Sequence, residues 1–336
     1  MGGICVADDL GRIKCVSPST LSKIRSAGFT TVEALAVTPV REVSSRANVD
    51  NKTALKVCME ARKLMNYGFV RAFEIWEKRK NLARCTTGSK RLDDVLGGGV
   101  ETQAMTELIG DYGVGKTQIC LTLAVTAQLP PDSGGLGGNV IYMDTEGTFS
   151  PERVYQIASK RGLDGKKILD GIIVARAYTS DHQCLLMDHL FVKVPEEKAG
   201  LVVVDSMISH FRAEYVGLEE LSPKQQKLNQ YLHKLLRLAE AYNIAVVITN
   251  QIQTNPAIIY GNPDRPAGGH VMAHACTHRV MIRRGKKGTR VATVIDSPYL
   301  PERKVPFIIN EWGISDTDKE VADEEEQPQT VETQKF

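Results

Sequence analysis

Gly110-Asp111-Tyr112-Gly113-Val114-Gly115-Lys116-Thr117 decides the reading of this chain. The octet matches the phosphate-loop pattern in full. It follows the apolar run Thr106–Ile109 and precedes a helical pattern opening near Gln118, the strand–loop–helix context the motif requires. Glycines let backbone N–H groups close around phosphate oxygens, and the helix N-terminus adds a favourable potential. Lys116 is placed to reach the β- and γ-phosphates and the Thr117 hydroxyl to ligate Mg²⁺. Gly110 through Gln118 are therefore the candidate nucleotide-binding residues, with ATP and Mg²⁺ as the expected cofactors.

Working outward, the runs Val140–Met143, Ile172–Ala175, Leu201–Asp205 and Ala245–Thr249 are near-continuously apolar, as in a parallel sheet covered on both faces. Between the last two, Lys224–Tyr242 carries Leu228, Tyr231, Leu232, Leu235, Ala239 and Tyr242 on one stripe and reads as a crossover helix. The section is an α/β domain with a mostly parallel sheet. Arg279–Arg284 and Arg290–Asp296 flank Gly285-Lys286-Lys287-Gly288 and read as a hairpin. Residues 1–80 read differently, as short helices such as Ser19–Ala27 and Thr53–Met65.

Phosphoryl transfer to water needs a metal-holding carboxylate and a group that orients the water. Asp205 ends an apolar strand and suits the first role. Glu146 leaves the end of the Val140–Met143 strand, at the sheet edge where ligands bind, and suits the second. Asn250 and Gln251 follow another strand end, where the Gln251 amide can sense the γ-phosphate. The candidate catalytic residues are Glu146, Lys116 and Gln251.

The 336 residues carry 42 Lys plus Arg against 40 Asp plus Glu, a net charge of +2 that argues at first against a nucleic-acid partner. The charge is unevenly distributed. Residues 1–80 hold 14 basic and 8 acidic residues, and the segment from Arg265 to Ile295 holds seven basic residues and no acidic one. From Asp316 onward there are eight acidic and two basic residues, which leaves +8 on residues 1–315. The composition of 316–336 predicts a disordered tail. Seven cysteines without Cys-x-x-Cys pairing suggest reduced thiols. No apolar run reaches the roughly 18 residues that span a bilayer, and Met1 to Val6 lacks signal-peptide and myristoylation patterns.

Asp144-Thr145-Glu146-Gly147-Thr148-Phe149-Ser150-Pro151-Glu152-Arg153, Thr249-Asn250-Gln251, Gly268-Gly269-His270, Asp296-Ser297-Pro298 and Leu96–Gln103 together resemble the RadA family, the archaeal branch of the RecA-like recombinases. The resemblance covers roughly residues 10–315. It implies a RecA-like P-loop ATPase core behind a small all-helical helix-hairpin-helix-type domain. The implied function is a DNA-dependent ATPase that forms filaments on single-stranded DNA and exchanges it with homologous duplex in recombinational repair. The partners implied are single- and double-stranded DNA and further copies of the chain, as a helical filament or ring, without a membrane. The implied location is the nucleoid-associated cytoplasm, or the nucleus of a eukaryotic cell.

By the same resemblance, Arg153 stacks on adenine and His274 approaches the phosphates held by the neighbouring subunit. The Asp296–Pro301 segment caps that nucleotide. DNA-binding loops are implied over Arg212–Gln225 and Ile252–Gly269, with Arg212, Arg265, Gly268 and Gly269 as contacts. Where the family usually has Arg-Gly, this chain has Leu218-Glu219, which weakens the first loop. The family's Gly-rich hairpin falls at Cys15-Val16-Ser17-Pro18, without its glycines. Phe69 and Ala72 occupy the places of the family's polymerisation anchor. The implied divisions are a helical domain over 1–67, a linker over 68–82, the ATPase core over 83–315 and the acidic tail over 316–336. The altered loop and hairpin keep open an alternative, an accessory paralogue that modulates the main recombinase without exchanging strands. The His270, His274 and His278 spacing could suit a metal, but a structural zinc site is not expected without a nearby carboxylate. Cys120 and Cys276 are expected to be core thiols.

Overall fold

A computed structural model of the chain describes residues 10–217, 219–254 and 264–317. Expectations for residues 1–9, Leu218, the middle of the second loop (255–263) and the tail over 318–336 lie outside the described residues.

The core is built on one nine-stranded sheet. Its strands in chain order are β1 (Ala104–Ile109), β2 (Asn139–Asp144), β3 (Ile172–Arg176), β4 (Ala199–Asp205), β5 (Ala245–Asn250), β6 (His278–Arg284), β7 (Arg290–Asp296), β8 (Lys304–Asn310) and β9 (Gly313–Ser315). In space they run β9-β8-β7-β6-β1-β5-β4-β2-β3. From β6 through β3 all neighbours are parallel, and the β6–β7–β8–β9 meander is antiparallel. The continuous apolar runs follow from cover on both faces. Val140, Tyr142, Leu201, Val203, Ala245 and Val247 face one core with the helices Lys116–Thr126 and Pro151–Lys160. Ile141, Met143, Val202, Val204, Val246 and Ile248 face the other, with Ser180–Glu196 and Leu221–Tyr242. The period of two assigns each side chain to one face.

All five expected strands and the hairpin are present, and the crossover helix begins at Leu221, three residues before the stripe suggested. Asn243 at φ 52° ends that helix in the left-handed conformation Asn tolerates, and its N–H bonds the Ala239 carbonyl.

The N-terminal helices enclose their own core of Leu10, Ile13, Ile24, Phe29, Leu35, Val43, Val57 and Cys58. Ser17 and Asp50 cap the helices Pro18–Ser26 and Asn51–Leu64 through the N–H groups of Thr20 and Thr53. The module is docked on the Leu221–Tyr242 helix. Thr31 Oγ1 lies 3.1 Å from the Tyr242 hydroxyl, Arg237 donates to the Val37 carbonyl at 3.1 Å, and Lys234 pairs with Glu42 at 3.2 Å. Within the segment read as a linker, Ala72–Lys80 forms a helix with no buried residue. At the other end, Asp316 accepts from Ser89 Oγ and from the N–H groups of Lys90 and Arg91, and Thr317 is buried. The packed body therefore continues two residues past the point where the charge pattern changes. Among the described residues no helix is long and apolar enough to cross a membrane.

Candidate active site and nucleic-acid interface

The phosphate loop joins β1 to the helix Lys116–Thr126, at the C-terminal edge of the parallel strands. Gly113 and Gly115 sit at φ 75° and 108°, where side-chain-bearing residues are strained. A Cβ on Gly115 would stand 2.5 Å from Ile309 Cδ1, and one on Gly113 would stand 2.8 Å from an Arg284 nitrogen. Asp111, Tyr112 and Gly113 are exposed, so the loop's outer rim is open. The Lys116 ammonium donates to the Gly110 and Asp111 carbonyls at 2.7 and 2.8 Å, closing the loop on itself. Burial pushes its pKa down, opposed by the charges of Asp205, Glu146 and Asp111. The same ammonium can donate charge-assisted hydrogen bonds to the oxygens of a polyphosphate.

Asp205 ends β4, buried, accepting from Tyr142 Oη at 2.8 Å and Thr249 Oγ1 at 2.6 Å. Its charge raises the Tyr142 pKa further after burial has done so. With Thr117 on the first turn of the loop helix, Asp205 supplies the hard oxygen donors that Mg²⁺ prefers. Arg153 and Gln118 are brought together, Arg153 Nε donating to Gln118 Oε1 at 2.8 Å. The same guanidinium also reaches Gln156 and the Asn310 carbonyl.

The expected water-orienting group is held by a chain of contacts. Gln251 Nε2 donates to Glu146 Oε1 at 2.9 Å, and Arg212 donates to Gln251 Oε1 at 2.7 Å. Arg212, which lies on the helix Ser209–Glu214 and not in the loop expected from Arg212 to Gln225, Gln251 just ahead of the second loop and Glu146 two residues past β2 thus form one line. Asp144, which the motif reading left without a role, shapes the turn bearing Glu146. Its carboxylate accepts from the N–H groups of Glu146, Gly147, Thr148 and Phe149, and pairs with Arg176 at 3.0 Å. A buried carboxylate met by several N–H groups is how a loop is fixed without regular structure.

The expected DNA contacts are placed unequally. Arg265 is exposed on the short strand Asp264–Pro266, which pairs with Ile252–Thr254 across the base of the second loop. Gly268, at φ 82°, is the N-cap of the helix Gly269–Ala275. The seven basic residues from Arg265 to Ile295 do not form the single strip their spacing suggests. Arg279 is buried, its Nε 2.6 Å from Glu107 Oε2. Arg290 Nε donates to the Val114 carbonyl at 3.0 Å and braces the phosphate loop. Arg283, Arg284, Lys286 and Lys287 are exposed around the hairpin turn. Arg279 sits where the strand is covered and Arg283 and Arg284 sit at its uncovered end, a difference that a run of positives conceals.

In the N-terminal module, the hairpin meets a carboxylate of its own chain. The N–H groups of Lys14 and Cys15 donate to Glu60 at 2.7 and 2.8 Å. The Cys15 thiol, then burial-opposing contacts to these amides, hold the Glu60 carboxyl below its ordinary value. The thiol itself is pushed up to about 11, by burial and then by Glu60.

The residues expected to serve a neighbouring subunit face outward. His274, Asp296 and Pro301 are exposed, and no hydrogen bond among the described residues ties them to the phosphate loop of the same chain. His270 and His274 stack on one helix with centroids 6.1 Å apart, whereas His278 lies buried on β6 with Nδ1 3.1 Å from Ser297 Oγ. The three are therefore not on one helical face. Cys120 and Cys276 are buried thiols, their pKa values raised well above the ordinary range by burial. Phe69 is 110% exposed, and Val70, Phe73, Ile75 and Trp76 beside it are exposed as well. Ala72 opens the helix that carries the last three. That helix is tethered at its far end, where Arg79 reaches Glu101 at 2.9 Å. Glu101, 1% exposed, also binds Arg84 at 2.7 Å and the Tyr299 hydroxyl at 2.5 Å, so one carboxylate joins the linker to the Asp296–Pro301 segment. Glu101 lies within the Leu96–Gln103 stretch that carries the resemblance, but nothing in that stretch assigned it a role.

Comparison with known proteins accords with this arrangement. The Rad51 family model matches residues 78–317, and the SAM-like helix-hairpin-helix tandem model matches residues 7–63. The chain is 46% identical over 308 residues to the DNA repair and recombination protein RadA of Aeropyrum pernix, covering 92% of this chain and 97% of that protein. With the phosphate loop, the carboxylate-bearing strand ends and the preceding helical module in the same order, the chain belongs to the Rad51 family.

Proposed function

We propose that this chain is an ATP- and Mg²⁺-dependent DNA recombinase that coats single-stranded DNA and pairs it with homologous duplex. The line Arg212–Gln251–Glu146 carries this reading. Gln251 bonds both Arg212 and Glu146, which supports a reading in which DNA engagement by Arg212 and water orientation by Glu146 are linked through one amide. Bound ATP supplies the phosphoryl group, and Mg²⁺ held by Thr117 and Asp205 offsets its charge. Within the chain, Gly110–Lys116 cradle the phosphates, Glu146 takes up the water's proton at its carboxylate, and Arg153 with Gln118 borders the base.

Assembly into a homo-oligomer completes the site. His274 and the Asp296–Pro301 segment face away from the chain's own loop and suit the nucleotide of a second copy. Phe69 is fully exposed, and the sheet ends on β3, an edge strand carrying exposed Val174. An extended segment with an aromatic anchor adds to such an edge. The name of the Aeropyrum relative, a DNA repair and recombination protein, agrees with this reading. The Glu60-filled hairpin favours the accessory reading for the N-terminal module alone, since it removes amides from phosphate contact. The test is D-loop formation with a homologous single strand and supercoiled duplex. ATP-dependent product supports the recombinase, and ATP-independent DNA binding without product supports the accessory protein.

A further inference from the structure

Where β1, the end of β5 and the start of β6 lie side by side, the sheet holds a charged group outside the nucleotide and DNA contacts described above. Glu107 on β1 is 0% exposed, yet its same-face neighbours on that strand, Met105 and Ile109, are apolar. Its Oε2 accepts from Arg279 Nε on β6 at 2.6 Å, and its Oε1 accepts from Asn250 Nδ2 on β5 at 2.6 Å. A carboxylate and a guanidinium taken out of water in this way are costly to keep, and a buried pair is often replaceable by apolar side chains without loss of stability. Stability is thus a weak reason for its presence.

Asn250 shows what the pair controls. Its second Nδ2 proton goes to the Ala267 carbonyl at 2.8 Å, and its Oδ1 accepts from the Gln251 N–H at 2.8 Å. Because ionised Glu107 can only accept, the amide has one satisfied orientation, with the nitrogen toward Glu107 and the oxygen toward Gln251. Ala267 N–H also donates to the Gln251 carbonyl at 2.9 Å. One side chain therefore clasps both ends of the second loop, immediately before Gln251, whose amide reaches Glu146, and immediately before Gly268, which starts the helix bearing His274. The Asn250 carbonyl also accepts from the Gly110 N–H at the start of the phosphate loop at 3.3 Å. Arg279, at the other side of Glu107, is the register partner of Asp296 on β7.

We infer that Glu107 is a positioning residue for the coupled reaction. Held by Arg279, it fixes the Asn250 amide and so the seat of Gln251 and the closing end of the second loop, transmitting between nucleotide and DNA. The inference rests on the reading above that the chain is a DNA-dependent ATPase.

The test compares the full-length chain with Glu107→Gln, which keeps the volume but turns a donor toward either Arg279 or Asn250. The double variant E107L/R279M removes the buried charges together with the acceptor that Asn250 Nδ2 faces. Turnover is measured with and without single-stranded DNA, and DNA affinity with and without a non-hydrolysable ATP analogue. Couplings between sites are typically about 5–150-fold, and they are reciprocal for binding. The expected result is basal turnover within about twofold of the parent, with most of the DNA stimulation lost and the analogue's effect on DNA affinity lost alongside it. A purely structural role lowers all rates together with the unfolding midpoint and keeps their ratio, and that result overturns the inference. Should both variants fail to fold, hydrogen exchange on the unmutated chain decides. The Gln251 and Ala267 amides are expected to change protection together when analogue or DNA binds, and unchanged exchange in all states overturns it. A parent chain whose turnover ignores DNA contradicts the functional reading itself, a different outcome from a stimulated parent with an equally stimulated variant.

Discussion

Gln251 Nε2 lies 2.9 Å from Glu146 Oε1, so the residue just ahead of the second loop holds the carboxylate that stands two residues past β2. Glu146 is thereby fixed at the edge of the phosphate loop by a side chain whose own oxygen is held by Arg212.

The first prediction follows from that contact. Glu146→Gln preserves size and can keep a bond to Gln251 but cannot take a proton. Turnover is expected to fall about 10²–10⁴-fold, the range for removing a general base, with nucleotide binding retained. Phosphate release and nucleotide titration on the same preparation check it. Unchanged turnover takes Glu146 out of the mechanism.

Phe69 makes no contact that folding needs. Phe69→Glu is expected to leave the unfolding free energy within about 0.5 kcal/mol of the parent, as at surface positions generally, while abolishing filaments in electron micrographs. A buried aromatic anchor of an interface accounts for more than about 2 kcal/mol of binding. Filaments of normal length from the variant would place the anchor elsewhere.

The hairpin of the N-terminal module offers its Lys14 and Cys15 amides to Glu60 and not to a phosphate. Glu60→Ala empties that position and removes a negative charge from a basic module. Duplex affinity is expected to rise, with the slope of log affinity against log salt steepening by about one contact's worth, near −0.9. Filter binding of duplex over a salt series reads it, and an unaltered slope means that the missing glycines alone close the site.

His278 gives a pH dependence with a definite sign. Burial disfavours the imidazolium; Glu101 opposes this, and the Arg79 and Arg84 guanidinium groups act with burial, so the folded pKa lies below the ordinary 6.5. Its Nε2 is buried without a hydrogen-bond partner among the described residues. As pH falls below 6.5 the unfolded chain takes up a proton that the folded chain refuses until lower pH. The unfolded state then binds more protons, and stability falls with falling pH. Denaturant midpoints between pH 7.5 and 5.5 are expected to drop more for the parent than for His278→Asn. Parallel drops would assign the effect to other groups.

The legibility of the sequence was uneven for physical reasons. β1, β2, β4 and β5 were readable because strands buried on both faces need unbroken apolar runs, and the phosphate loop because its backbone demands glycine at fixed places. Phe69 was readable only by resemblance, since an exposed aromatic and a buried one look alike in sequence. The positive run after Arg265 misled, because charge counting does not register that Arg279 is turned inward to Glu107 and Arg290 back to Val114. Asp144, Glu101 and Glu107 act through partners far away in the chain, from Arg176 to Tyr299, and no local spacing encodes such pairs. The Ala72–Lys80 helix escaped notice because its apolar residues face outward instead of tracing a buried stripe.

The central claim is that nucleotide turnover in this chain drives exchange of DNA strands. Strand exchange between circular single-stranded DNA and homologous linear duplex, with Lys116→Ala alongside, tests it most directly. The account predicts joint molecules with the parent chain and ATP, and none with Lys116→Ala or without nucleotide. Full DNA binding by the parent chain with no joint molecules would contradict it.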